Sequence, residues 1–250
     1  MPQPADVVER ALVLGATGEL GEAVCRSLSA AGTRVVAAGR RADRLQSLEA
    51  AGLVAEHFMA DLAQPQAILD ALESQHFDLL VLCTGATEFG PFCERPWDSI
   101  EREMSADPVG AAHVLHAAAR AMVRRGSGRI IVIGSTAQYR PAPRLAVYAA
   151  GKAFLTSMAQ SLALELRGTG VSITCCIAGP FGSTFANGAR IPRKAGAGTA
   201  KRVAAAALAG SANGRAVVYA GLGARMRAMA YSGTPNWLLS RMIPPGKRPS

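Results

Sequence analysis

The chain has 250 residues, half of them apolar, 18% charged and 5% aromatic, with 26 glycines. Those proportions exclude a disordered polar chain, a collagen-like repeat and a disulfide-built miniature, and they supply a core for one or two domains. The formal charge of +9 is unevenly placed: residues 1–165 hold 15 Lys/Arg against 18 Asp/Glu, whereas residues 166–250 hold 12 Lys/Arg and no carboxylate side chain.

The first residues, Met1-Pro2-Gln3-Pro4-Ala5-Asp6, have neither a basic nor an apolar leader segment, so no secretory signal is expected. An apolar run at 10–14 that ends in Gly15 predicts a strand, and a helical pattern follows from Gly18 to Ala31. The alternation continues with strand 33–38, helix 42–50, strand 53–59, helix 64–74 and strand 77–82. A single long helix is predicted at 98–125, then strand 129–134, helix 146–167 and strand 171–177. Short connections between alternating strands and helices imply right-handed crossovers and a parallel sheet covered on both faces. The expected fold is therefore a Rossmann-like, doubly wound α/β domain over 1–220.

Residues 179–200 are rich in Gly, Pro, Ala and Arg, with Phe181, Phe185 and Ile191 as the larger apolar groups. They read as a mobile loop, a substrate lid beside the carboxyl ends of the strands, where open α/β sheets bind ligands. A helix at 200–209, a strand at 215–219 and a basic, apolar tail over 221–250 complete the chain. Arg225, Met226, Arg227, Tyr231 and Trp237 in that tail suit a subunit-contact arm, a cover for the substrate cleft or a contact with an anionic membrane. No apolar run approaches the roughly 18–20 residues that span a bilayer.

The five cysteines form no C-x-x-C pair. Cys25, Cys83, Cys175 and Cys176 read as buried thiols of a reducing cytoplasm. His113 and His116 lie three apart on a predicted helix without a third ligand at suitable spacing, so no metal is expected. The basic third lacks the aromatic platform and the motifs of a nucleic-acid binder.

Chemistry concentrates in three places. Gly15-Ala16-Thr17-Gly18-Glu19-Leu20-Gly21 joins a strand to a helix, which is where a pyrophosphate meets backbone N–H groups at a helix N-terminus. The carboxylate of Glu19 must turn to solvent there. The second strand ends in Gly39-Arg40-Arg41, with no acid for the ribose hydroxyls of NAD; two guanidinium groups suit the 2′-phosphate of NADP instead. Tyr148 and Lys152 stand four apart on one helix face, thirteen residues after Ser135, which closes a strand. An ammonium about 4 Å from a phenol, at an effective dielectric near 20, favours the phenolate by roughly 4 kcal/mol, enough to lower its pKa by up to roughly three units.

With Ser135, Tyr148-x-x-x-Lys152 and the glycine turn in place, residues 10–220 resemble the short-chain dehydrogenase/reductase family. The resemblance implies seven parallel strands, a homodimer or homotetramer, and hydride transfer between NADP(H) and a carbonyl or alcohol. Ser135 would hold the substrate oxygen, Tyr148 pass the proton, and Lys152 lower the tyrosine pKa and hold the nicotinamide ribose. Asp61-Leu62 resembles the family's pair beside the adenine, and Gly179, Phe181 and Thr184 its loop at the nicotinamide. Several positions depart from the pattern: Glu19 replaces a glycine of the more usual turn, Ala178 replaces the loop's proline, and Leu82-Cys83-Thr84-Gly85 keeps only the final glycine of the family's Asn-Asn-Ala-Gly. Asp107, followed by Pro108, replaces the asparagine whose backbone helps hold a water leading to the lysine. The expected substrate is an apolar ketone or a 3-oxoacyl thioester on coenzyme A or a carrier protein. A reading of another class is an NADP-binding scaffold whose chemistry is vestigial.

Overall fold

A computed structural model describes residues 8–85, 87–180, 183–186, 189–191 and 198–233. Seven parallel strands form one sheet: β1 (Arg10–Leu14), β2 (Arg34–Gly39), β3 (Glu56–Met59), β4 (Leu79–Leu82), β5 (Gly128–Ser135), β6 (Val171–Ala178) and, at the far edge, β9 (Val217–Tyr219). Their order is β3-β2-β1-β4-β5-β6-β9. The chain leaves β1 toward β2 and β3, then crosses back to place β4 on the other side, which opens a crevice at the carboxyl ends of β1 and β4.

Strand alternation decides which face each side chain serves. Leu12 and Leu14 of β1, with Leu80, Leu82, Ile130 and Val132, pack under α3 (Gln66–Ser74), α5 (Ala111–Arg125) and α6 (Ala146–Glu165). Ala11 and Val13, with Val81, Ile131 and Ile133, face α1 (Glu19–Ala30), α2 (Ala42–Ala50) and α7 (Ala200–Ala212). A strand apolar at consecutive positions is what a sheet buried on both faces requires.

Four segments differ from the sequence expectation. The helix predicted at 98–125 is two helices, α4 (Trp97–Met104) and α5, separated by a wide turn at Ser105–Gly110 in which Asp107 leaves the helical conformation (φ −146°, ψ 94°). Pro108 supplies the cause, because a proline lacks the N–H for the ladder and excludes helical geometry from the residue before it. Within the predicted loop 179–200, β7 (Ser183–Ala186) and β8 (Ala189–Ile191) form an antiparallel pair. The helix expected at 200–209 runs on to Ala212, and the tail contains α8 (Leu222–Ser232). Phe181 and Trp237 lie outside the described residues. Among the described residues no helix is long and apolar enough to cross a membrane.

Candidate active site

Two of the three glycines in the turn after β1 have no room for a side chain. Gly15 adopts φ +75°, and a Cβ on it would stand 2.8 Å from the Cys83 carbonyl oxygen; a Cβ on Gly21 would stand 2.2 Å from the Gly15 carbonyl oxygen. Gly18 precedes α1 and offers no side-chain acceptor to the helix's first amides. Leu20 is buried beneath the turn, and Glu19 is exposed, so its carboxylate is free to point away from an anion. This is a cradle of backbone N–H groups on a helix N-terminus.

Arg40 and Arg41 are exposed at the end of β2, and Arg41 Nη2 donates to the Thr17 carbonyl oxygen, tying that guanidinium to the glycine turn. The Ala60 amide donates to the Gly39 carbonyl (2.9 Å), which brings Asp61 and Leu62 to the same rim. Asp61 Oδ1 accepts from the Ala63 amide (3.0 Å), and Leu62 is buried. The glycine cradle, the uncapped helix start and the adjacent cations fit a phosphorylated dinucleotide.

The second group of residues lies across the crevice. Ser135 ends β5, and its Oγ accepts from the Ala137 amide (3.2 Å), capping a 3-10 turn at Thr136–Tyr139. Tyr148, one helical turn before Lys152 on α6, hydrogen-bonds with Ser135. The Lys152 ammonium, 3% exposed, sits 5.8 Å from the Tyr148 ring centroid. It donates to the Thr84 carbonyl oxygen (2.9 Å) and pairs with Asp107 Oδ2 (2.7 Å). The wide turn at Ser105–Gly110 makes that pairing possible. It presses the Asp107 carbonyl against α6, where a Cβ on Gly151 would come within 2.9 Å of it, and swings the carboxylate onto the neighbouring lysine.

Burial, with the pairing adding to it, overturns one expectation. Burial pushes the Tyr148 phenol above its ordinary range; Lys152 and Ser135 pull it down, but Asp107 and Glu103 push it up again, and the net direction is upward rather than downward. Burial works against the Lys152 charge, yet Asp107 and Tyr148 outweigh it and hold the ammonium above its usual value. Lys152 is thus a fixed cation with part of its field cancelled.

Two arrangements here escaped sequence reasoning. Arg95 and Glu103 form a second buried pair (2.6 Å; both side chains 5% exposed), with Arg95 also donating to Ser99 Oγ (3.2 Å). Gln138, with its amide turned to satisfy its neighbours, donates to the carbonyls of Ser135 (3.1 Å) and Lys152 (3.3 Å) and accepts from Tyr139 Oη (3.3 Å). It braces the strand that carries Ser135 against the helix that carries Tyr148. No local motif predicts either, since each depends on a turn meeting a distant element. Of the expected buried thiols, Cys25, Cys175 and Cys176 are buried and Cys83 is only partly covered; burial pushes Cys25 and Cys176 up to about 12. His113 and His116 are exposed on α5. Gly85 closes the 82–85 segment beside Thr84, Gly179 follows β6, and Thr184 lies in β7.

Residues 9–194 match the family model for short chain dehydrogenases. The chain is 35% identical over 178 residues to an uncharacterized oxidoreductase of Myxococcus xanthus, covering 68% of this chain and 70% of the other. It is 33% identical over 180 residues to an NADP-dependent 3-hydroxy acid dehydrogenase of Salmonella typhi, covering 69% and 73%. A short-chain dehydrogenase from Sphingobium yanoikuyae, solved in complex with NADPH, superposes with a TM-score of 0.78 over 97% of this chain and 99% of its own, at 22% identity, a likeness of fold. The protein belongs to the short-chain dehydrogenase/reductase family, whose members are oxidoreductases that bind nicotinamide cofactors.

Proposed function

We propose that the protein reduces a ketone with NADPH. The observation that carries this reading is the meeting of Ser135, Tyr148 and Lys152 at the carboxyl ends of β5 and β4, across the crevice from the glycine cradle. When bound, the nicotinamide supplies the hydride. Ser135 holds the carbonyl oxygen, and Tyr148 delivers its phenolic proton to that oxygen as negative charge develops there. Lys152, fixed on Asp107 and the Thr84 carbonyl, compensates the phenolate left behind. A phenol held above its ordinary pKa is protonated at neutral pH, and this supports the reductive direction, in which it acts as an acid.

Arg40 and Arg41 support NADPH over NADH, because they end β2 beside the glycine turn without an acid for the ribose hydroxyls, and guanidinium groups there suit a 2′-phosphate. Trp97, Phe154 and Leu164, exposed on α4 and α6, support self-association into a dimer or tetramer. The apolar substrate lid rests on Phe181, Phe185 and Ile191, whose side chains lie outside the described residues. A ketone screen that follows NADPH loss, with NADH in parallel, tests the reading. Tyr148→Phe should abolish turnover while leaving NADPH binding intact, and replacing both Arg40 and Arg41 by alanine should raise the Michaelis constant for NADPH tenfold or more.

One observation favours a second reading: Asp107 cancels part of the field of Lys152, as a scaffold with vestigial chemistry would tolerate. Turnover that disappears in Tyr148→Phe eliminates it.

A further inference from the structure

The tail helix α8 packs against the 3-10 turn Thr136–Tyr139 and against β9, so it lies at the rim of the candidate site. The guanidinium of Arg140, the residue after that turn, rests 4.5 Å from the Tyr231 ring centroid and fastens the end of α8 there. One turn back, Arg227 is half-buried, and its Nη1 lies 3.5 Å from where a Cβ on Gly179 would stand. Gly179 directly follows Ala178, the cross-strand partner of Ser135. With neighbouring strands about 4.8 Å apart and about 3.3 Å per residue, this puts a guanidinium within about 11 Å of the Ser135 backbone.

Among the described residues that cation has no anionic partner. No ion pair among the described residues includes Arg227, and no carboxylate side chain follows Glu165 in the chain. The nearby buried acids are engaged, Asp107 by Lys152 and Glu103 by Arg95. Arg140 and Arg144 add positive charge at the same mouth, both stacked on aromatic rings rather than neutralised. A half-buried, unpaired guanidinium binds a planar carboxylate through two parallel N–H donors, and more strongly than an exposed one does.

We propose that Arg227 is a specificity-determining residue and that the site takes oxo acids, with the carboxylate on Arg227 and the ketone on Ser135 and Tyr148. That reach admits a chain of a few carbons between the two groups. The assignment rests on the ketone-reductase reading above and names its substrate class.

The test uses the full chain with NADPH, 3-oxobutanoate and 3-oxohexanoate, and the methyl ester of each. The acids should outperform their esters. Arg227→Met should raise KM for the acids at least tenfold, leave kcat within about twofold and leave the esters unaffected, and Arg227→Lys should recover part of the loss. Equal loss on acids and esters, or a matching rise in the KM for NADPH, overturns the proposal in favour of a structural or cofactor role. Loss confined to 3-oxoacyl-coenzyme A overturns it too, by placing a thioester's phosphates on Arg227. Turnover of esters but not acids overturns it while leaving the reductase reading intact. If nothing is reduced, that reading fails by itself, and calorimetric titration of 3-oxobutanoate onto wild type and Arg227→Met then decides the carboxylate site: binding only to wild type supports it, and equal or absent binding ends it.

Discussion

Replacing Asp107 by asparagine removes one charge from a buried pair while keeping the outline of the side chain. The ammonium of Lys152 stands 5.8 Å from the Tyr148 ring centroid, and the 2.7 Å ion pair beyond it puts the nearer carboxylate oxygen at most 8.5 Å away. At an effective dielectric of 20, the lysine favours the phenolate by about 3 kcal/mol and the aspartate opposes it by about 2 kcal/mol. Asp107 thus cancels around two thirds of the lysine's effect on the phenol. Asp107→Asn should therefore lower the Tyr148 pKa. Alcohol oxidation with NADP requires the phenolate, so the rising limb of its kcat/KM against pH should move toward acid. Ketone reduction requires the phenol, so the falling alkaline limb of that profile should move the same way. Near neutrality, oxidation should gain up to about tenfold. Limbs that stay in place, or move toward alkali, in a variant with unchanged melting temperature would refute the electrostatic reasoning.

Three further outcomes follow from packing. A Cβ on Gly110 would stand 1.8 Å from the Leu62 carbonyl oxygen, so Gly110→Ala should destabilise by about 1–3 kcal/mol or more, read by denaturant melts. Gly151→Ala meets the Asp107 carbonyl at 2.9 Å, a milder clash, and should cost less stability than Gly110→Ala in the same melts. Glu103→Gln leaves Arg95 buried without its counter-charge and should cost about 3–5 kcal/mol, whereas the double change Arg95→Met, Glu103→Leu should recover most of it. Equal melting of the single and double variants would sink the burial argument.

Much of the sheet is legible because two-sided burial leaves consecutive apolar residues in every inner strand, and turn glycines punctuate them. Ser135, Tyr148 and Lys152 are legible because a four-residue helical spacing is local and a strand end is local. The break inside 98–125 is harder to read: apolar spacing continues across it, and only Pro108 betrays it. Its consequence, a carboxylate delivered to Lys152, depends on how closely two helices approach, and that is set by Gly151 on a segment some forty residues away. The net direction of the Tyr148 shift is non-local too, since burial, its largest cause, and Asp107 both come from tertiary packing. A Tyr-x-x-x-Lys pair reports the cation and is silent on what faces the cation from another helix. Gln138 and the Arg95–Glu103 pair are equally non-local. The place of Arg227 follows from α8 folding back over the turn after Ser135, which sequence spacing does not encode.

The wide turn at Ser105–Gly110 touches both halves of the crevice. At one end Gly110 lies flush on the Leu62 backbone, beside the rim expected to hold the adenine; in its middle Asp107 grips Lys152, the lysine of the proposed proton-transfer group. Six residues thus form a bracket between two sites. A change that enlarges or tilts the dinucleotide end should be transmitted through this bracket to Lys152, so cofactor preference and proton affinity are expected to shift together. Variants selected for a different nucleotide should carry a displaced pH profile as a by-product, even when every reacting side chain is intact.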